Sequence, residues 1–401
     1  AERRAEIWLQ DLWTGREAAD FTLPPSLLSV ATGDVLALTA GGRRRLLEGK
    51  QIVDTASRRV QAQAIDPEIF DLPLARPRRL EPSLPVALGP PHALVLDLPT
   101  LPGVSPTALT WLAIFADPWP GALAVWRALD DASYTRVAVA DAPAIVGTTL
   151  DDLPAGPTGR WDKANTVRVR VSGGTLTSLS DLAVLGGRNV AAVQNAAGGW
   201  ELLQFANAEL VDSDTYVLSR LLRGQAGSEW AMAAPLAAGA PFVLLDRQLV
   251  ALTRSLDDLG RPMSLRIVAA NRDHGDPSAL AIEVTPQATA LMPLNPVHIS
   301  AVRDGDGVHI SWVRRTRTDG DSWDATDVPL GEASEGYAVD ILSGSTVLRT
   351  LSVATPTALY AAADELADFG APQTSLSVVV TQLSATVGRG FATAAVLTRL
   401  G

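Results

Sequence analysis

The sequence predicts a mainly β, multidomain protein, with barrel and sandwich layers behind a short N-terminal helix. Three observations carry that expectation. The chain has 401 residues, enough for roughly two to three domains. Its 47% apolar content against 19% charged residues is sufficient to fill buried cores, so it is not a disordered chain. From Ser26 onward, short apolar runs recur at about 10–15 residue spacing with Gly and Pro between them, as in sandwiches and barrels.

The helix comes first, over 3–19: Ala5, Trp8, Leu9 and Leu12 fall at i, i+3, i+4 and i+7, and Pro24 and Pro25 end any helix. Strands are expected at 35–39, 43–48 and 60–64, the last because Val60, Ala62 and Ala64 alternate with Gln61 and Gln63. Residues 71–91 are proline-rich and read as a linker or crossover, so residues 1–91 form the first domain. A central β region, 92–294, has expected strands at 94–98, 110–116, 122–127, 134–139, 190–194, 200–205, 216–222, 241–245 and 264–269. Asn195 to Gly199 is a hairpin turn within it. From 295 to 401, expected strands at 297–301, 308–314, 337–342, 347–353 and 375–383 have the length and spacing of an immunoglobulin-like or fibronectin type III-like sandwich. No short-period repeat of a solenoid or propeller is present.

Composition excludes whole classes of function. Lys+Arg is 33 and Asp+Glu 44, and the net charge of −11 opposes a phosphate-neutralising surface, so no sequence-specific nucleic-acid partner is expected. Cysteine is absent, which removes disulfides, thiolate metal sites and a cysteine nucleophile. Four His with no i, i+4 pair leave little for a metal centre or a triad. No phosphate-binding Gly loop and no Gly-x-Ser-x-Gly elbow occurs. No stretch is apolar enough for a membrane helix, and Ala1 follows neither an initiator Met nor a signal core, which favours a fragment of a longer chain.

Few groups remain for chemistry. Asp304 to Gly307 and Asp319 to Asp324 offer oxygens for Ca²⁺, but neither completes a calcium loop, and Asp-Gly is ordinary hairpin-turn chemistry. The pairs Asp130/Asp131, Asp151/Asp152 and Asp257/Asp258 are adjacent residues, which point to opposite faces of a strand and cannot flank one glycosidic bond. Arg43 to Arg45 and Arg314, Arg315 and Arg317 read as salt-bridged strands or subunit contacts. Among ten Trp, those at Trp119, Trp161, Trp200, Trp230 and Trp323 lie near turns. With Arg314 and Arg315 they are the candidate interaction residues, for a protein interface or a sugar. No catalytic residue, cofactor or metal is expected.

Four blocks resemble the C-terminal part of a phage-type tail-tip protein, the baseplate megatron (host-specificity-like) family of alphaproteobacterial gene transfer agents. They are the helix with Phe21 to Ser26 and Gly33 to Val35; Asp117 to Gly121 with Ile145 to Gly147 and Gly159 to Asp162; Glu201 to Phe205 leading to Tyr216 to Gln225 and Gly227; and Ile310 to Arg315 with Asp319 to Trp323, Val328 to Gly331 and Val380 to Ser384. The third, ending Leu222-Arg223-Gly224-Gln225, is the most specific. The resemblance implies a structural virion protein at the tail tip, three copies around the tail axis, hub and distal tail proteins as partners, and a role in host-cell attachment and DNA delivery. Residues 1–91 would then complete a hub-type β domain. The family's glycosidase-like barrel has no counterpart here, so no enzyme activity carries over. The alternative is a module that binds or trims envelope glycans, with a cell-surface receptor or glycan as partner.

Overall fold

The computed structural model describes residues 2–70, 89–101, 103–104, 107–232, 236–320 and 326–398. Most of the proline-rich 71–91 segment, and Trp323 with Asp321 and Asp324, lie outside the described residues. The chain is mainly β, with 47% strand against 11% helix. It divides into two units, Ala1–Pro85 and Val86–Gly401.

The first unit pairs helix α1 (Glu2–Thr14) with β1 (Ala18–Leu23), β2 (Val35–Ala40), β3 (Arg43–Asp54) and β4 (Arg58–Ala64) in the antiparallel order β1-β4-β3-β2. The helix is shorter than expected. Gly15 N–H closes the last turn on the Asp11 carbonyl, and 18–23 instead pairs along β4, placing Phe21 opposite Val60. Local periodicity lost to tertiary pairing there. One sheet face carries the core: Leu47, Val60, Ala62 and Ala64 are buried, and Phe21, Leu36 and Ile52 half-buried around them.

The second unit opens with β5 (His92–Leu96), β6 (Leu109–Phe115), β7 (Leu123–Ala128) and β8 (Thr135–Ala140). The chain then leaves this sheet pair to build β9 (Val146–Thr149), β10 (Trp161–Asp162), β11 (Val167–Ser172), helix α2 (Asp181–Leu185), β12 (Val190–Gln194), β13 (Trp200–Asp212), β14 (Thr215–Leu222) and β15 (Pro241–Leu244). It returns as β16 (Val250–Thr253), β17 (Met263–Ala269) and β18 (Leu280–Val284).

The inserted strands close on themselves. Antiparallel pairing runs β14-β11-β9-β15-β12-β13 and back to β14, with β10 attached to β14, so the barrel leaves no free sheet edge along that ring. Its interior is filled by Val169, Val193, Leu203, Phe205, Leu218 and Phe242, all fully buried. Strands β9 and β11 were absent from the expected list. Gly147 explains how β9 fits: a Cβ there would lie 2.2 Å from the Arg170 carbonyl, a contact only glycine tolerates.

The remaining strands of the insertion's host form two facing sheets, β16-β6-β5 and β18-β17-β7-β8, over a shared core of Leu112, Val125, Leu265 and Ile267. The chain ends in β19 (Val297–Arg303), β20 (Gly307–Val313), β21 (Tyr337–Ser343), β22 (Thr346–Val353), β23 (Thr357–Ala361), helix α3 (Ala362–Phe369), β24 (Ser375–Ser384) and β25 (Gly388–Thr398). These make the sheets β19-β20-β23 and β22-β21-β24-β25. Both sandwiches place their first, second and fifth strands in one sheet and their fourth, third, sixth and seventh in the other. That is the fibronectin type III-like order expected for the C-terminal region. The central region repeats it, with the barrel inserted between its fourth and fifth strands.

Candidate functional site

The Leu222-Arg223-Gly224-Gln225 block builds the most elaborate polar arrangement in the second unit. Strand β14 drops Leu221 into the barrel core and ends at Leu222, directly before Arg223, whose side chain is fully shielded from water. A guanidinium so placed requires partners. It donates from Nε to Glu201 Oε1 at 2.6 Å, from Nη2 to Glu201 Oε2 at 2.9 Å and from Nη1 to the Pro154 carbonyl at 2.9 Å. Asp162 Oδ2 stands 3.5 Å from Nη1, also fully buried. The fork geometry of a bidentate Arg–carboxylate pair thus ties β13, β14, β10 and the 154–156 loop at one point.

Asp162 is held from several sides. Burial pushes its carboxyl upward, but the Asn165 side-chain amide, the N–H groups of Asn165 and Ala164, and Arg223 together hold it below the ordinary carboxylate value. Gly156 makes room for this cluster, since a Cβ there would sit 2.4 Å from Asp162 Oδ2 and 2.9 Å from Arg223 Nη1.

Past Arg223 the backbone turns sharply. Gly224, Ala226 and Gly227 all adopt left-handed conformations, with φ of 59°, 54° and 77°. A Cβ on Gly227 would meet Leu294 Cδ2 at 2.5 Å, so a larger residue there would be strained by its φ and would force the Leu294 side chain to shift. The 225–231 turn then reaches the C-terminal sandwich. Glu229 pairs with Arg315, which also donates to Asn295 Oδ1 at 3.0 Å. Trp230 stacks on Phe391 with ring centroids 4.4 Å apart and planes 14° from parallel. Phe391 N–H donates to the Pro293 carbonyl at 3.0 Å. On its other side the turn is anchored to the barrel, with Leu202 N–H donating to Ser228 Oγ at 2.8 Å and Asn195 Nδ2 to the Ala231 carbonyl at 3.0 Å. This segment is a bolt between the barrel and the last sandwich. Beside it opens a cleft of about 860 Å³ lined by Thr100, Thr158, Gln225, Glu229, Arg315 and Thr318, among others.

The expected interaction residues are scattered through this framework. Trp200 is 2% exposed and packs with Leu96, Leu202 and Val243 between the barrel and the first sandwich, so it presents nothing to a partner. Trp119 is half-buried against the first sandwich's core. Trp161 lies half-buried against Val184 and Leu222, with the Arg220 guanidinium 5.1 Å from its ring centre. Trp230 and Arg315 meet at the bolt. Arg314 is held within its own domain, donating to Asp327 at 2.8 Å and to the Val328 carbonyl at 2.7 Å. Trp323 lies outside the described residues. Arg45, from the other basic cluster, pairs with Glu17.

Glu201, Asp162 and Arg223 were not singled out as a site, although the blocks containing them were. The signal was a charged residue in the apolar run from Trp200 to Phe205, which only a buried partner explains. A further cluster without a sequence signal joins Trp126, Tyr134 and His274, with ring centroids 5.1 Å apart at both His274 contacts. Among the described residues no three His, Asp or Glu side chains converge as metal ligands, and no helix is long and apolar enough to cross a membrane.

Residues 1–52 match the family model described as "Putative phage tail protein", and residues 144–243, the barrel, match that described as "Rcc01698-like, C-terminal". The first match supports a structural phage-tail protein. No curated protein matches the chain. Among solved structures the chain is similar to the FN1–FN3 domains of chicken CNTN1, at 14% identity over 62% of this chain and 66% of that one, just under two thirds of its length. The TM-score is 0.20, too low for the likeness to bear on fold or function.

Proposed function

We propose that this chain is a structural component of the tail tip of a phage-like particle: a baseplate hub protein of the gene transfer agent megatron type. In this reading it stands in three copies around the tail axis, contacts hub and distal tail proteins, and contributes to host-cell attachment and DNA delivery. It resides in the virion and is extracellular after release. Its role is mechanical rather than catalytic.

The observation that carries the reading is the coincidence of family and architecture. Residues 1–52 match the phage-tail model, and the barrel, which matches the Rcc01698-like model, is the element that the Arg223 cluster ties internally and the 225–231 turn bolts to the last sandwich. A barrel without free edges, seated on one sandwich and fixed to another, transmits load between partners at its ends without exposing strands for unwanted pairing.

The test is cryo-electron microscopy of intact particles, with the chain located relative to the tail axis and the distal tip. Density in a closed ring around the axis is the expected result. Absence of the chain from the particle, or density confined to the capsid, overturns the reading.

A further inference from the structure

We propose that the cleft beside the 225–231 turn binds a sugar acid, whose carboxylate docks on the side of the Arg315 guanidinium that the protein leaves open. The proposal rests on the host-attachment part of the reading above and names the ligand class.

Carboxylates surround the guanidiniums of this chain in a recurring way. Nε and Nη2 of Arg223 grip Glu201 as a fork, while Asp162 stands 3.5 Å from Nη1. Nε and Nη2 of Arg349 grip Asp368 at 2.7 and 3.0 Å, while Asp364 stands 3.2 Å from Nη1. Arg315 has only the second half of that arrangement. Its Nη1 donates to Glu229 and to Asn295 Oδ1, and among the described residues neither Nε nor Nη2 has a partner. The side chain is 28% exposed and lines the cleft. Glu229 and Asn295 fix the guanidinium, so the open fork is preorganised, and a planar carboxylate matches its two parallel N–H groups.

The surroundings of the fork select the kind of acid. At about 860 Å³ the cleft has the size of a small-ligand site. Gln225 Oε1, Glu229 Oε2 and the Asp319 carboxylate are acceptors without a donor among the described residues, and the Thr158 hydroxyl is without a partner too. A segment rich in acidic side chains would set its further charges against Glu229 and Asp319, so an acidic peptide is the poorer fit. A sugar acid brings one negative charge, and each of its hydroxyls both donates and accepts. Its carboxylate fills the fork while its hydroxyls supply the missing donors.

The experiment titrates the 401-residue chain calorimetrically with the disaccharide glucuronyl-glucose, with cellobiose as its neutral counterpart, and with the peptide Gly-Gly-Glu-Gly-Gly as a carboxylate on a polypeptide. The expected result is saturable binding of the sugar acid alone. Arg315→Lys keeps the charge and the Glu229 pair but removes the fork, and is expected to weaken that binding about tenfold. Thr158→Val, at an exposed side chain without a partner, is expected to weaken it severalfold with an unchanged melting curve. Equal binding of both disaccharides, binding of the peptide in place of the sugar acid, or no binding at all overturns the inference. So does unchanged affinity in Arg315→Lys, or in Thr158→Val where the Lys variant does not fold. Each of these outcomes leaves the tail-tip position standing, since that is overturned only by where the chain lies in the particle.

Discussion

Arg223 carries its charge where no water reaches it, and two carboxylates and a carbonyl stand in for the solvent. Removing one partner from such a cluster costs far more than the cluster contributes net, because the charges left behind stay buried. Arg223→Met is therefore expected to lower stability by about 3–5 kcal/mol, read from the denaturant midpoint of the second unit. A loss below ~1 kcal/mol would show that water enters the site and solvates Glu201 and Asp162. Glu365 is another buried carboxylate, gripped in a fork by Arg303, which holds it below its ordinary value of 4.5 against the opposing effect of burial, with the Gln373 N–H adding to the grip. A depressed carboxyl stabilises the fold fully above its unfolded value and loses that contribution as pH falls below it. The last sandwich is thus expected to weaken below about pH 4.5, and Glu365→Gln to lower its stability near neutrality while flattening that slope. Parallel slopes for the two proteins would remove Glu365 as the source.

Strands announced themselves wherever a half-buried face alternates. Val190–Gln194 was placed correctly, and Tyr337–Ser343 to within one residue, because apolar runs end there in turn residues. Strand β13 was cut short at Phe205, since Ala206 to Asp212 reads as a polar mixture; the structure extends it because β14 pairs back along it as a long hairpin. Helix α3 and strands β23 and β25 had no clear local signature, and the packed sandwich decides them. The 225–231 turn is the element through which the barrel and the last sandwich act as one. Trp230→Ala with Arg315→Ala should uncouple them, so that a single calorimetric transition for the second unit separates into two while both domains stay folded. One undivided transition in the double variant would assign the coupling to other contacts, such as Gly390 against Pro293.

At the scale of the whole chain, the two units differ in how much core each holds. The second contains filled cores in both sandwiches and in the barrel, whereas among the described residues of the first only Leu47, Val60 and Ile69 are buried apolar side chains larger than alanine. Burial on that scale leaves a small domain marginal. Residues 89–401 expressed alone are expected to melt at the same temperature as that unit does in the full chain, followed by circular dichroism. A drop of more than a few degrees would mean that the first unit supports the second.

By itself the sequence determined the class of the protein: apolar runs of strand length, turn residues between them and a negative charge balance are local or additive properties, readable without coordinates. It also marked the Leu222-Arg223-Gly224-Gln225 block. What only the tertiary structure decided is which strands are partners. The first sandwich is interrupted by the barrel, so β8 and β16 are strands of one domain separated by 109 residues from Ala140 to Val250. No local pattern records a pairing across such a gap. The same holds for Arg223, Glu201 and Asp162, which become one buried cluster only when the barrel closes and water leaves.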